Sequence, residues 1–307
     1  MIAHRNLLKD IGRVLFWFPL RWCVSFMPFC IIYRMGTVMG YIDYLFSGTK
    51  RINRMENNIS KVFQDNRKEI KRIVISNLQN HCRNVLEFIK YPQLNQENMT
   101  KLVSFEGVEL LDKELSKGKG VILFTSHFGA KQLLQAGLGL RDYKINQIYY
   151  HMNHNELTFI QKNVSQRQRQ KIEGKIPAKF IPANGFLRSA YKCLMRNEIL
   201  IIAADGIGLP EHMNKGYSLF PFLGEKVLFP PNTVSLAKRT GASIVPAFVI
   251  REGTKHKIIF EPAIEVNSKS IESTFQEFIG IVERYIRKYP SHWEFWEEFE
   301  EGNLIVP

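Results

Sequence analysis

From Lys101 onward the chain alternates short apolar or β-branched runs with stretches of helical texture. The runs are VILFT (121–125), NQIYYH (146–151), KFIPA (179–183), ILIIAAD (199–205), ASIVPAFVI (242–250) and KIIFEPAIEV (257–266). Between them, 130–140, 155–171, 185–196 and 232–240 read as helix. Such alternation predicts a central, largely buried sheet covered by helices. The last two runs are joined by REGTKH and read as an antiparallel hairpin, which makes the sheet mixed. We therefore expect an α/β domain over 51–307, a mixed central sheet flanked by helices, preceded by a helical segment over 1–50. Within 50–90, the stretch NNISKVFQDNRKEI reads as one helix ending, a turn at Asp65 and Asn66, and a second helix beginning. Ile70, Ile73, Val74, Asn77 and Leu78 then fall near helical spacing.

The segment 14–46 is apolar and aromatic, but interrupted. Arg21 and Arg34 enclose 12 residues, too few to cross about 30 Å of hydrocarbon as a helix. Pro19 and Pro28 break it further, and no small-residue cleavage site follows it. Two readings stay open: an interfacial anchor with Trp17 and Trp22 at the headgroup boundary, or a helical subdomain buried on the main body. Charge bears on this choice. The formal net charge is +13, and residues 1–90 hold 15 Lys/Arg against 6 Asp/Glu, a surplus of 9. Positive charge interleaved with apolar residues suits an anionic membrane surface better than DNA. No nucleic-acid-binding signature accompanies it. Cys23, Cys30, Cys82 and Cys193 are scattered, without CxxC pairs or histidines at ligand spacing, so neither a metal site nor a disulfide frame is expected.

His127 follows the run VILFT directly and precedes a helical stretch. α/β folds place chemistry in that position, in the crevice beyond the carboxyl ends of strands. A neutral imidazole there suits proton removal from a hydroxyl, and Gly129 suits close approach of backbone and substrate. On position alone, a structural histidine is an equal alternative.

HFGAKQLL (127–134), ADG (204–206), GYSLFPFLGEKVLFPPNTVSLAKRTGASIVP (216–246) and YPSHWEFWEEF (289–299) together resemble the bacterial lysophospholipid acyltransferase superfamily. The similarity is greatest to the lipid A late acyltransferases, of lauroyl or myristoyl type, in block order and spacing along roughly residues 14–300. The resemblance implies a glycerophosphate-acyltransferase-like fold and transfer of a fatty acyl chain from a thioester to a hydroxyl of a lipid or lipid-like acceptor. The thioester donor would be acyl carrier protein or coenzyme A, with no cofactor and no metal. It also implies work at the cytoplasmic face of the inner membrane, peripheral or anchored through the N-terminal segment.

In the family motif a carboxylate stands five places after the histidine and orients it; here that place holds Gln132. An amide can accept a hydrogen bond from the imidazole but offers no charge to an imidazolium. Three readings follow: an active enzyme in which Gln132 fixes the tautomer or Asp205 supplies the charge, a lipid- or carrier-binding pseudoenzyme, or an acyltransferase acting on an amine or a non-lipid-A acceptor. The resemblance makes His127 the general base, Gln132 its partner, and Arg167, Arg169, Asp205, Gly206 and Lys215 the substrate-binding candidates. A basic helix face for the two arginines, and ordinary loop geometry around 215–230, are the plain alternatives. His151 stands where relatives commonly carry an arginine. Trp293 and Trp296 are read as core.

Overall fold

The computed structural model describes residues 2–64, 66–149, 157–182, 187–205, 216–300 and 304–305. The chain opens with α1 (Ile2–Leu15), a π-helical turn (Phe16–Leu20), α2 (Arg21–Phe26) and α3 (Phe29–Phe46). Two long helices follow, α4 (Thr49–Val62) and α5 (Arg67–Lys90). The side chain of Asn66 caps α5 by accepting from the Glu69 amide, which is why the expected turn stops one helix and starts the next. Then come α6 (Gln96–Leu102), β1 (Val103–Glu106), α7 (Val108–Leu115), β2 (Val121–Thr125), α8 (Gln132–Gly139) and β3 (Ile145–Tyr149). A second π-helical turn (Gln161–Gln166) leads into α9 (Arg167–Glu173), β4 (Lys179–Pro182), α10 (Leu187–Met195) and β5 (Ile199–Ala203). The hairpin β6 (Ser218–Phe222) and β7 (Glu225–Phe229) precedes α11 (Asn232–Thr240), β8 (Ser243–Glu252), β9 (Lys255–Phe260) and α12 (Ile271–Lys288).

Among the described residues the main sheet has seven strands in the order β1-β9-β8-β2-β5-β3-β4. All neighbours are parallel except β8 and β9, the expected hairpin, so the sheet is mixed. β2 lies at its centre and is buried at all five positions. Its residues alternate between two cores: Ile122 and Phe124 pack with α10, α11 and α12, whereas Val121 and Leu123 pack with α5 and α8. Burial on both faces is what makes VILFT a continuous apolar run. β6 and β7 form a separate antiparallel pair, where loop geometry was expected. Pro221 inside β6 explains the difference, since proline is tolerated in an edge pair although it reads as a breaker.

The expected apolar N-terminal helical segment is corrected by this geometry. It is divided at the π-turn and at Met27–Pro28, and among the described residues no helix is long and apolar enough to cross a membrane. Its inner face lies along α5, and a Cβ on Gly40 would come within 2.4 Å of the Gln79 backbone. Ile32 and Tyr33 are buried there, and α2 buries Val24. The outer face leaves Phe18, Trp22, Phe26, Leu45 and Phe46 exposed, with Phe26 and Phe46 more than four-fifths open. The segment is both packed on the body and apolar on the outside.

Candidate active site

The register of two parallel strands builds the site. Thr125 ends β2, Ala203 ends β5, and the two are partners. His127 and Asp205 each stand two residues beyond those ends, so the sheet itself brings them side by side. His127 Nδ1 is 2.9 Å from Asp205 Oδ1, and the His127 backbone N–H donates to Asp205 Oδ2 at 2.7 Å. Because a carboxylate only accepts, this contact puts the imidazole proton on Nδ1 and leaves Nε2 basic. Asp205 is sealed, its side chain 2% exposed, while the His127 side chain is 28% exposed. The imidazole lines a cavity of about 510 Å³, together with Thr125 and Ala203 from the strand ends.

The loop that carries His127 is tied on three sides. Its carbonyl accepts from the Glu294 N–H at 2.8 Å, and the Gly129 N–H donates to the His292 carbonyl at 2.8 Å. Phe128 and Trp293 form a bridge between these bonds, so the aromatic C-terminal block acts as a short strand against 127–129. Asn84 Nδ2 on α5 donates to the Gly129 carbonyl at 2.9 Å. Gly129 has φ +59°, and a Cβ there would lie 1.9 Å from the Val249 carbonyl oxygen. No other residue fits this turn without moving β8.

That turn also decides the fate of Gln132. The sequence placed His127 at the head of a helix, but 128–131 intervene as bridge and turn, and α8 begins at Gln132. Among the described residues, no hydrogen bond joins Gln132 to His127. Gln132 lines the cavity instead, and the carboxylate beside the ring is Asp205, which the sequence had offered both as a substrate-binding candidate and as the alternative source of that charge.

Arg169 lines the cavity as expected, but its Nε is paired with Glu173 at 2.7 Å and its guanidinium lies over Phe88. Arg167 is exposed at the start of α9 and is not among the lining residues. Gly206, Lys215 and His151 lie outside the described residues. Trp293 and Trp296 are buried core, as read.

Lys131 and Glu294 were missed by sequence reasoning. They pair at 2.8 Å at the boundary with a second cavity of about 300 Å³, which Phe16, Trp17, Val85, Phe88 and Tyr91 make largely apolar. Burial pushes the Glu294 carboxyl up, but Lys131 and then His127 outweigh it and hold the group below the usual carboxylate range.

The family model of the bacterial lipid A biosynthesis acyltransferases matches residues 6–297, nearly the whole chain. The chain belongs to that family. It is an acyltransferase of lipid-like substrates. No individually curated protein matches it significantly. Among solved structures, the 1-acyl-sn-glycerophosphate (LPA) acyltransferase PlsC from Thermotoga maritima is similar over 85% of this chain and 97% of that one, at 14% identity and a TM-score of 0.37. Within this acyltransferase, Asp205 and the aromatic C-terminal block both bond to the loop 127–129 that carries His127.

Proposed function

We propose that this acyltransferase moves a fatty acyl chain from a thioester, on acyl carrier protein or coenzyme A, to a hydroxyl of a membrane-borne acceptor, with His127 as general base. The observation that carries the reading is the His127–Asp205 pair: an imidazole whose tautomer is fixed at Nδ1 by a sealed carboxylate, on a ring that borders a cavity.

The step balances without any other group. Nε2 takes the proton of the acceptor hydroxyl as its oxygen attacks the thioester carbonyl carbon. The C–O bond forms, the C–S bond breaks, and the departing thiolate receives that proton back from the imidazolium. Asp205 stabilises the imidazolium in between and keeps the ring oriented. A thioester is already activated, so no covalent acyl-enzyme is called for. The 300 Å³ apolar cavity, which shares Phe88, Lys131, Gln132 and Arg169 with the larger one, suits the acyl chain.

The exposed aromatic face of α2 and α3, beside Arg21 and Arg34, supports docking on an anionic leaflet with the head of the cavity close to the bilayer. Asp10 of α1 accepts from the Thr158 hydroxyl at 2.9 Å, which joins the docking helices to the cavity wall ahead of α9. The net charge of +13 suits an acidic carrier protein as donor. We place the enzyme at the cytoplasmic face of the inner membrane on these grounds.

The test is an assay in mixed micelles with acyl carrier protein and coenzyme A thioesters, reading thiol release and acylated lipid by mass spectrometry. Product is expected from the native chain and not from His127→Ala, while vesicle binding survives in both. Product formation indifferent to His127→Ala would overturn the assignment.

A further inference from the structure

Attack on a thioester puts negative charge on the carbonyl oxygen, and backbone amides beside the base commonly stabilise it. In the His127 loop those amides are already engaged. The His127 N–H donates to Asp205 Oδ2 at 2.7 Å, the Phe128 N–H to the Ser126 carbonyl at 2.7 Å, and the Gly129 N–H to the His292 carbonyl at 2.8 Å. None of the three is left for an oxyanion, so a side-chain donor is the alternative, placed where the acyl chain meets the base.

The two cavities have Phe88, Lys131, Gln132 and Arg169 in common. With the acyl chain in the apolar cavity and His127 on the wall of the other, the thioester carbonyl falls at this shared boundary. Two of the four residues are cations. The Arg169 side chain is 58% exposed and paired with Glu173, whereas that of Lys131 is 23% exposed. Lys131 is also tied to the base. The Glu294 carboxylate accepts from its ammonium at 2.8 Å, and the Glu294 backbone N–H donates to the His127 carbonyl at 2.8 Å. One residue thus fixes the cation and the imidazole relative to each other, and the neighbouring Phe295 ring packs on the His127 ring, centroids 4.6 Å apart. An ammonium has three donors, and Glu294 engages one of them. Helix stability does not ask for a cation here, because Lys131 is the N-cap of α8, at the end whose partial charge is positive.

We infer that Lys131 is a catalytic residue of the transfer, the side chain that stabilises the oxyanion on the thioester carbonyl, with Glu294 as its positioning residue. The inference rests on the reading of His127 as the base. As the acceptor oxygen attacks, the carbonyl π pair moves onto oxygen, and the Lys131 ammonium donates a hydrogen bond to it while keeping its proton. When that pair returns, the C–S bond breaks, and the thiolate takes the proton held by the imidazolium.

The experiment uses the full chain in mixed micelles, with lauroyl-acyl carrier protein and lauroyl-coenzyme A as donors and a total bacterial lipid extract as acceptor. Acylated lipid is read by mass spectrometry. Lys131→Met is expected to lower kcat by about 10² to 10³, the scale of losing one oxyanion donor, while KM for the thioester moves less than about threefold. Lys131→Arg keeps charge and donors, and should be at least about tenfold faster than Lys131→Met. The double variant Lys131→Met, Glu294→Gln removes both charges and should be no faster than Lys131→Met alone. A double variant restored to near the native rate would show that the pair only holds the loop, and overturns the inference. So does an effect confined to KM, or a kcat for Lys131→Met within about threefold of native while His127→Ala is inactive, an outcome that leaves the transfer reading standing. If product is unaltered by His127→Ala, the transfer reading itself falls, and this inference with it.

Discussion

His127 and His256 each stand beside a carboxylate, in opposite surroundings. His127 meets Asp205 at the end of two strands, with one nitrogen bonded and the ring at a cavity. His256, on β9, lies 3.4 Å from Glu87 of α5 with its side chain wholly enclosed, and neither ring nitrogen is in hydrogen-bond geometry with a described residue. Glu87 is already occupied. Arg251 donates to it at 3.0 Å, and the Tyr33 hydroxyl donates to its other oxygen. Burial, reinforced by Arg251 and His292, takes the His256 imidazole down to about 4 against the pull of Glu87. On the proposed role of His127, proximity to a carboxylate is therefore not what makes a base. A base needs a carboxylate with no competing cation, a second nitrogen free to act, and space for a substrate. The Glu87 cluster has none of these and serves the fold, joining α3, α5, β8 and β9. It also reaches the site indirectly, since Arg251 donates to Asn84 at 2.7 Å and Asn84 holds the Gly129 carbonyl.

One chemical change, carboxylate to amide, should separate the two pairs. Asp205→Asn is expected to lower kcat by about 10³ to 10⁴, the scale seen when an orienting carboxylate becomes an amide and the wrong tautomer is stabilised. KM and melting temperature should move little by comparison. Steady-state kinetics beside circular dichroism would show it, and a loss of less than tenfold in kcat would mean that Asp205 only holds the loop. At the other pair, Glu87→Gln leaves Arg251 buried without its counter-charge and should cost about 3–5 kcal/mol of stability. Denaturant unfolding would measure that cost. A variant as stable as the native chain would show that the buried cluster is not a charge pair at all.

The next test is pH. His256 and His292 are both buried and both lowered to about 4, His292 by burial and then Arg251. Unfolded histidines titrate near 6.5. Between those values the unfolded chain binds more protons, so stability should fall as pH drops from about 6.5 to 4, by on the order of 3 kcal/mol per histidine. Glu87 adds to this at lower pH still. Burial raises its carboxyl, but His256, Arg251 and Tyr33 together hold it below the ordinary range, and its contribution is lost as it protonates. Thermal melts from pH 7 to 4 should slope downward, and His256→Gln should make the slope shallower. A flat profile would mean that His256 carries charge in the folded state, as an imidazolium partnered by Glu87.

Much of the frame was legible because central parallel strands advertise themselves. VILFT and ILIIA are continuous apolar runs, and NTVSLAKRT forms α11 at the limits read for it. The β8–β9 hairpin was readable from its polar turn. The site was half legible. His127 could be placed by its strand and Asp205 could be named as one source of charge for it, but the two are 78 residues apart and meet through sheet register, so no local spacing decided between Asp205 and Gln132. The Lys131–Glu294 pair spans 163 residues and depends on the aromatic block folding back as a strand. Gln132, Gln135, Gln147 and Gln170 are unremarkable one at a time, and become a wall of the larger cavity when α8, β3 and α9 meet around one space.

The smallest expected effect belongs to the residue that drew most notice in the sequence. A spacing of five suggests contact only if the helix runs unbroken from the histidine, and Gly129 at φ +59° breaks it. Gln132→Glu should therefore change kcat by less than about threefold. The new carboxylate would not find the Nδ1 proton, which Asp205 already holds. Its cost should appear in KM instead, because the substitution replaces an amide that both donates and accepts with a group that only accepts. Paired with Asp205→Asn, it completes a cycle. If Gln132→Glu restored the rate lost in Asp205→Asn, the charge at position 132 would reach the imidazole after all. Additive losses would leave Asp205 as the carboxylate that distinguishes His127 from His256.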